Sequence, residues 1–317
     1  MDVYTAGEEA SEMKAITVSN RSEGVGGMTL GERPAAQAAE NDVIVQVHAA
    51  GFTPGELEWP STWADRAGRD RTPSVPGHEV AGVVTALGYG TTGLSVGQCV
   101  YGFADWARDG SLAEYVAVEA RNLAPLPADI DFVTAASLPI SGLTAVQGLF
   151  EHGALVAGQT IFITGVAGGV GSVVAQLARN AGAVVIGTGR PGQRDRALEV
   201  GAHRFVDVDA DWETVGEVDL VFDVLGGEIA ARAATLLRAG GRFVTIAAPP
   251  GAQREGVDAV FFVVEPRRSE LVELAGLVRA GRLRPFVGDI VTLDQAATAF
   301  ASRASSAGKT IVQVIPD

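Results

Sequence analysis

Cysteine is almost missing from the sequence, and this scarcity excludes two kinds of stabilising element. Cys99 is the single cysteine of the 317-residue chain, so no intramolecular disulfide can form and no zinc lobe built from several cysteines can exist. The flanking residues predict a strand, and we expect a buried, unreactive thiol there. The chain therefore depends on its hydrophobic core for stability.

Basic residues are also few, since 24 Lys and Arg stand against 38 Asp and Glu, giving a formal net charge of −14. Binding to nucleic acids or anionic membranes depends on basic side chains, so we expect neither partner. No uninterrupted apolar run reaches the roughly 20 residues that a membrane-spanning helix needs. The first dozen residues lack the features of a secretion signal. A cytoplasmic location is the resulting expectation.

Apolar residues make up 47% of the chain, and its length predicts two domains. Patterned sequence starts at Met13, so residues 1–12 are predicted to be a disordered extension. Short alternating strands, such as 42–49 with Val43, Val45 and Val47 on one face, continue to about Pro127. A long loop, 53–76, lies between them.

After Asp131 the pattern changes to alternating helices and strands, which predicts a doubly wound parallel sheet. A helix over 132–150 is expected to be interrupted at Pro139 and Gly142. The other expected elements are a helix at 193–200 closed by Gly201, strands at 204–208 and 218–224, a helix at 228–239, strands at 242–247 and 261–264, a helix at 270–280, and strand character at 283–290 and 310–314 with a short helix near 293–301 between them.

The stretch 160–178 contains the strongest functional signal. An apolar strand is followed by glycines at 165, 168, 169 and 171 and then by a helix from about Ser172. Glycines let the backbone approach a pyrophosphate, and the free N–H groups of the helix start point at the anion. A plain turn is the alternative interpretation. The candidate cofactor contacts are Ala167, Gly168, Gly169, Val170 and Gly171.

The strand after this helix indicates which dinucleotide is bound. It is followed by Gly189 and Arg190, with no Asp or Glu where an acid would bind the ribose 2′-hydroxyl of NAD. An arginine suits the additional phosphate of NADP, so we predict NADPH as the cofactor. Arg190 as an ordinary solvated loop residue remains the alternative.

From Met13 onward the chain resembles the medium-chain dehydrogenase/reductase superfamily, specifically its zinc-free quinone oxidoreductase (zeta-crystallin-like) branch. The resemblance implies an α/β protein with a Rossmann domain inserted into a mostly β, GroES-like catalytic domain, and an active-site cleft where the two meet. The expected boundaries are 1–126, 127–266 and 267–317. The motifs that carry the resemblance are 76–84, 138–145, 167–172, 222–227 and 308–314.

Zinc-dependent members of this superfamily use two cysteines and a histidine as ligands. The matching positions here are Thr53, His78 and Ser141. Two hydroxyl groups replace thiolates poorly, so we expect no metal. His78 is then either a direct substrate contact or a hydrogen-bonded polar residue near the cleft.

Without a metal, a conjugated acceptor is the favoured substrate, because hydride can add while the charge spreads into the carbonyl group. We therefore expect a quinone or an α,β-unsaturated carbonyl compound. The family's first loop often reads Asn-x-x-Asp followed by Tyr, whereas this chain has Thr53, Glu56 and Trp59. Thr53 is the candidate donor, Glu56 an orienting carboxylate and Trp59 a substrate-binding wall, although a loop tryptophan can equally serve packing.

Further cofactor contacts are expected in the loops at the carboxyl edge of the sheet. The resemblance to the family implies others next to the nicotinamide ring. Thr144, at the nicotinamide end by resemblance, could instead be a helix-interior residue. The other candidates are Leu225, Gly226, Ala247, Ala248, Phe262 and Val263.

The apolar segment 260–264 predicts an edge strand, which by resemblance pairs with a second copy to form a homodimer. An edge covered by the chain's own helix is the alternative. Two other functions stay open: an enoyl-thioester reductase, with Arg66, Arg69 and Arg71 as basic candidates, and a cofactor-binding sensor with little turnover.

Overall fold

The computed structural model describes residues 12–249, 257–301 and 308–316, and the chain divides into two compact units. The first unit comprises the described residues up to Pro139 together with those from Val287 to residue 301 and from Thr310 onward. The second comprises Ile140–Phe286 with residues 308 and 309. Residues 1–11, which the sequence predicts to be an extension, lie outside the described residues. Glu12 is the first residue of a strand, so the extension cannot include it.

Strands and helices follow one another along the chain as listed here. The strands are β1 (Glu12–Thr17), β2 (Thr29–Pro34), β3 (Asp42–Gly51), β4 (Glu79–Leu87), β5 (Cys99–Phe103), β6 (Tyr115–Glu119), β7 (Leu123–Pro125), β8 (Thr160–Thr164), β9 (Val184–Gly189), β10 (Arg204–Asp207), β11 (Val218–Asp223), β12 (Leu237–Thr245), β13 (Asp258–Phe261), β14 (Val287–Thr292) and β15 (Lys309–Gln313). The α-helices are α1 (Pro60–Trp63), α2 (Phe132–Ala136), α3 (Pro139–Val146), α4 (Gly169–Asn180), α5 (Arg194–Glu199), α6 (Gly227–Ala234), α7 (Arg268–Arg279) and α8 (Leu293–Ala301).

The first unit is built around one large sheet with the strand order β14-β15-β3-β4-β5-β7, in which β6 also pairs with β3. β1 and β2 form a separate antiparallel hairpin. Val43, Val45 and Val47 of β3 are fully buried, as the alternation predicts. Helix α8 closes part of this core, where Phe300 meets Phe52 edge to face at 4.5 Å between ring centroids. The mostly β character expected for this part of the chain is confirmed.

The second unit is a parallel six-stranded sheet in the order β10-β9-β8-β11-β12-β13. The chain starts in the centre at β8, extends outward through β9 and β10, and then returns to β11 on the other side of β8. This order confirms the Rossmann-type, doubly wound fold. Ligands of such sheets bind at the carboxyl ends of the strands, at the point where the strand order reverses.

Both unit boundaries lie later in the chain than the expected 126/127 and 266/267. Helix α2 packs on β3 of the first unit, where the rings of Phe132 and His48 stack at 4.2 Å. Helix α7 packs in the second unit, because a Cβ atom on Gly142 of α3 would lie 2.6 Å from Cδ1 of Leu274. Gly142 therefore does not interrupt α3, contrary to expectation: it allows α7 to approach the helix closely.

Other expected elements are wrong in position for reasons of tertiary pairing. The helix expected over 228–239 ends at Ala234, since Leu237 already pairs with Val218 in the sheet. The strand expected at 261–264 is β13, which ends at Phe261. Cys99, expected to be buried, is exposed, because it opens β5 and the next residue, Val100, points into the core.

Within the described ranges, none of the helices has the length and apolar character required to cross a membrane. The cytoplasmic location stays a prediction.

Candidate cofactor site and candidate active site

The glycine turn between β8 and α4 brings two backbone segments into close contact. Gly165 has a φ of +64°, which favours glycine, and its carbonyl oxygen accepts from the N–H of Gly168 at 2.9 Å. A Cβ atom on Gly171 would lie 2.3 Å from that carbonyl oxygen. Helix α4 starts at Gly169, earlier than expected, and the N–H groups of its first turn have no partner within the helix. A pyrophosphate fits this backbone.

Neighbouring elements hold the turn in place. A Cβ atom on Gly187 of β9 would lie 2.5 Å from Cγ1 of Val166, so this glycine makes room for the turn. From α3, Oγ of Ser141 lies 3.8 Å from the Cβ position of Gly169. Thr144 follows Ser141 by three residues and is buried. The structure thus brings the start of α3 to the glycine turn, and the contact of Thr144 with the nicotinamide stays a prediction.

A buried carboxyl group organises the carboxyl ends of three neighbouring strands. Asp223, at the end of β11, is fully buried. It accepts hydrogen bonds at 2.7 Å from the hydroxyl groups of Thr164 in β8 and Thr245 in β12. The backbone N–H groups of Leu225 and Gly226 also donate to it, at 3.2 Å. Asp223 therefore fixes the loop after β11 to both adjacent strands.

Sequence reasoning missed this role of Asp223. An acidic residue that ends an apolar strand, three residues before a glycine pair, was the available signal, because a buried carboxyl group needs several hydrogen-bond donors. The threonines that end β8 and β12 supply the side-chain donors.

The remaining candidates on the later loops lie at this same edge. A Cβ atom on Gly226 would be 2.9 Å from Cβ of Ala247, so the loops after β11 and β12 are in contact. Leu225, Ala247 and Ala248 are exposed. Phe262 is buried against His152, with the ring centroids 4.5 Å apart, whereas Val263 is 60% exposed. Phe262 is therefore a packing residue in this unit, and Val263 is the exposed one.

Gly189 is the last residue of β9, and Arg190 follows it at the carboxyl end of the strand. The N–H of Arg190 donates to Oε1 of Gln193 at 3.0 Å, which holds the turn. Its side chain is exposed and forms no hydrogen bond or ion pair with any residue that the structure describes. The guanidinium group is therefore available to an anionic ligand at this edge of the sheet.

In the first unit, Glu56 anchors the loop that follows β3. Its carboxyl group is fully buried and accepts two backbone hydrogen bonds at 3.0 Å, from the N–H groups of Thr53 and Gly77. The structure thus joins the loop at 53–58 to the segment before β4. Glu56 therefore orients the backbone here, and its role as an orienting carboxylate in catalysis stays a prediction.

His78 lies next to Glu56 in an aromatic enclosure. Its Nε2 is 3.7 Å from Oε2 of Glu56, and its ring lies 6.4 Å from that of Trp59 and 5.0 Å from that of Trp106. The Nδ1 atom is buried without a hydrogen-bond partner among the described residues. Burial, reinforced by the positive charge of Arg71 and opposed by Asp105, lowers the pKa of His78 to about 3. The imidazole is therefore neutral at physiological pH.

Thr53 and Trp59 are less buried than Glu56 and His78. Thr53 is exposed and Trp59 is half-buried, so both present a surface to solvent on the first unit. Trp63 is a packing residue, since its Nε1 donates to the carbonyl oxygen of Leu57 at 2.9 Å. Trp106, which sequence reasoning did not single out, completes the enclosure around His78 by contacts from a distant part of the sequence.

The expected absence of a metal stays a prediction. Across residues 12–249, 257–301 and 308–316, no group of three or more His, Cys, Asp and Glu side chains could hold a metal ion. A catalytic zinc site needs three protein ligands. His78 and Thr53 belong to the first unit, and Ser141 to the second.

Comparison with known proteins agrees with this architecture. Residues 39–128 match the family model described as an alcohol dehydrogenase GroES-like domain, and residues 199–312 match the one described as a zinc-binding dehydrogenase. The 2-methylene-furan-3-one reductase of Solanum lycopersicum is 31% identical over 300 residues, which cover 87% of this chain and 73% of the relative.

Two further comparisons extend this result. The spectinabilin polyketide synthase system protein NorB of Streptomyces orinoci is 36% identical over 261 residues, which are 76% of this chain and 12% of that longer protein. A solved quinone oxidoreductase structure from Coxiella burnetii superposes with a TM-score of 0.88 at 26% identity, covering 96% of this chain and all of that one.

A Rossmann-type unit with a glycine turn, combined with a GroES-like β unit, defines an oxidoreductase that uses a nicotinamide cofactor. The turn fits such a cofactor, because Gly171 lets the start of α4 pack closely on Gly165, and the N–H groups of the first helical turn are free to bind an anion. The chain belongs to the medium-chain dehydrogenase/reductase superfamily.

The close contact at Gly171 gives the first prediction. Gly171→Ala should weaken dinucleotide binding by roughly tenfold or more, because the methyl group meets backbone atoms that cannot move aside without distorting the turn, at a cost of roughly 1–3 kcal/mol. The measurement is a fluorescence titration of NADPH and NADH. Gly276→Ala in α7, where an added Cβ meets nothing within 4 Å, is the matched control. Equal binding by the two variants would contradict the role of the turn.

The burial of His78 predicts how stability depends on pH. Its folded-state pKa, about 3, lies below the 6.5 of a free imidazole, so the unfolded chain binds the proton more readily between these values. The stability contributed by neutral His78 is complete above pH 6.5 and is lost as the pH falls toward 3, by up to about 1.4 kcal/mol per pH unit.

Urea unfolding at several pH values, followed by tryptophan fluorescence, measures this effect in the wild type and in His78→Phe. The difference in unfolding free energy between the two proteins should shift in favour of the variant as the pH drops below 6.5. A difference that stays constant from pH 7.5 to pH 4.5 would show that His78 is not held neutral.

Proposed function

We propose that this protein is an NADPH-dependent, zinc-independent reductase that transfers a hydride to a quinone or an α,β-unsaturated carbonyl compound. The observation that carries the proposal is the glycine turn at the reversal of strand order, with Gly171 in close contact with Gly165 and the free guanidinium group of Arg190 at the same sheet edge. The similarity to a 2-methylene-furan-3-one reductase and to a quinone oxidoreductase supports the substrate class, since both names describe conjugated carbonyl compounds.

The choice of NADPH depends on Arg190. An arginine recognises a phosphate well, because its planar guanidinium group offers paired charged donors. Among the described residues, no acidic side chain engages Arg190. An acid of the neighbouring strand, Asp207 of β10, pairs in register with Gly189 and already accepts a hydrogen bond from the N–H of Asp209. These contacts favour a 2′-phosphate over a ribose hydroxyl.

Zinc independence is supported by the chemistry of the side chains around His78. The nearest acid, Glu56, is already bound by two backbone N–H groups. Hydroxyl groups stand at Thr53 and Ser141 in place of thiolates. One matching family model is described as a zinc-binding dehydrogenase. That description covers the family as a whole, whereas zinc binding by this chain depends on the residues at its own ligand positions.

When bound, the nicotinamide supplies the hydride, and the protein supplies orientation and a suitable environment. On the first unit, the exposed hydroxyl of Thr53 can donate a hydrogen bond to a carbonyl oxygen that gains charge. Glu56 holds the backbone of that loop through the N–H of Thr53. Neutral His78 supports the half-buried indole of Trp59, which offers a flat surface for a conjugated substrate.

A second candidate function, reduction of an enoyl thioester, is favoured by the similarity to a polyketide synthase system protein. The three arginines proposed to bind such a thioester already have acidic partners: Arg66 pairs with Asp105, Arg69 with Asp65 and Arg71 with Asp109. A cofactor-binding sensor with little turnover is the third hypothesis.

The function is tested by following NADPH oxidation at the nicotinamide absorbance with matched acceptors. We expect turnover with 9,10-phenanthrenequinone or 2-cyclohexenone and none with cyclohexanone, the saturated control, because only conjugated acceptors spread the developing charge. A metal chelator should leave the rate unchanged. Preferential turnover of crotonyl-CoA would favour the thioester reductase, and tight NADPH binding without any single turnover would favour the sensor.

Fluorescence titration with NADPH and with NADH tests the cofactor assignment. Arg190→Gln should weaken NADPH binding by roughly tenfold or more, the loss typical of a charge-assisted contact, and should leave NADH binding unchanged. Arg282→Gln, another exposed arginine of the second unit, is the control. Tighter binding of NADH than NADPH by the wild type would overturn the assignment.

We further propose a homodimer formed through β13. This strand is at the edge of the six-stranded sheet, with Phe261 37% exposed, and exposed apolar edges usually pair or are covered. Pairing with a second copy would extend the sheet across a two-fold axis.

Sedimentation velocity at micromolar concentration tests this assembly. The wild type should sediment as a dimer. Phe261→Glu should shift it to monomer, since like charges would meet across the axis. The control Val272→Glu, on the exposed face of α7, should remain dimeric. A monomeric wild type would overturn the proposal.

A further inference from the structure

A cavity of about 670 Å³ lies entirely within the first unit. It is bounded by the end of β2 with the residues after it, by residues 108–110 and by β6. Its volume falls in the range of small-molecule sites. Neither the glycine turn nor the enclosure around His78 contributes to its lining, so the proposed reaction does not account for it.

The three arginines that line this cavity are held by acids at different distances. Arg108 is neutralised, with Asp42 at 2.6 Å and Glu119 at 3.3 Å. Asp109 lies 3.9 Å from Arg33 and 3.4 Å from Arg71, and Asp105 and Asp65 also act electrostatically on Arg71. Asp109 is the only carboxylate among the lining residues that the structure describes. Of the three arginines, Arg33 is therefore the one that an acid holds least closely.

The hydrogen-bond donors of the cavity are also incompletely used. The side chain of Arg33 is only 27% exposed, yet in the described part of the chain it forms no hydrogen bond, only its 3.9 Å ion pair with Asp109. The hydroxyl of Tyr115 accepts from Nε2 of Gln46 at 3.2 Å, which leaves its own proton free to donate. Partly buried N–H and O–H groups that have no acceptor in the protein favour an anionic ligand.

The rest of the lining is apolar, including Met13, Pro34, Ala36 and Val116. Met13 and Val116 are themselves buried. An inorganic anion would leave this part unfilled. We propose that the cavity binds a small organic monocarboxylate, with its carboxylate on Arg33 and Tyr115 and its apolar body on the Met13 side.

The test uses sodium benzoate as the probe and isothermal titration calorimetry of the full chain at constant ionic strength. We expect saturable binding of benzoate, and no binding of benzamide, which has the same shape without the charge. Arg33→Gln should weaken benzoate binding by roughly tenfold or more, and Tyr115→Phe by a smaller factor, because a charge-assisted donor contributes more than a neutral one.

Arg69→Gln is the matched control, since Arg69 is an exposed arginine of the same unit outside the cavity and pairs with Asp65. It should bind benzoate like the wild type. Equal affinity of wild type and Arg33→Gln would place the benzoate elsewhere and overturn the proposal, as would absence of saturation. Inorganic phosphate that binds as tightly as benzoate would show that the apolar lining plays no part and would overturn the assignment to an organic acid.

Discussion

The carboxyl group of Asp223 is the interaction on which the second unit depends most. It joins the ends of β8, β11 and β12 through two threonine hydroxyls and two backbone N–H groups. A buried carboxyl group without such donors would cost several kcal/mol, so the three strand ends have to stay in register for Asp223 to be satisfied. Because the glycine turn follows β8 directly, this network also fixes where the candidate cofactor site lies.

A second buried carboxyl group has a similar effect in the first unit. Glu56 binds the N–H groups of Thr53 and Gly77, which are far apart in sequence. His78 then occupies an enclosure of Trp59 and Trp106 in which burial keeps its pKa low. In both units, a buried acid thus fixes backbone segments, and the side chains that remain exposed, such as Thr53 and Arg190, are the ones free to meet ligands.

Local features of the chain were predictable because they depend on residues that are neighbours in sequence. The glycine turn, Gly201 at the end of α5, the helix Leu293–Ala301 and the strand β3 follow from spacing and backbone conformation alone. The exposure of Cys99 and the early end of α6 were not predictable, since they depend on which strand pairs with which. The roles of Asp223 and Trp106 were missed for the same reason: their partners are distant in sequence.

The sequence by itself determined the class of fold and the position of the dinucleotide turn, because glycine spacing, strand alternation and motif order are local properties. It also determined the absence of a three-ligand zinc set based on cysteine. Only the tertiary structure decided which polar groups are buried together and which charged side chains have a close partner. Burial and pairing depend on contacts between segments as far apart as β2 and β6, and only the folded chain brings these segments to one cavity.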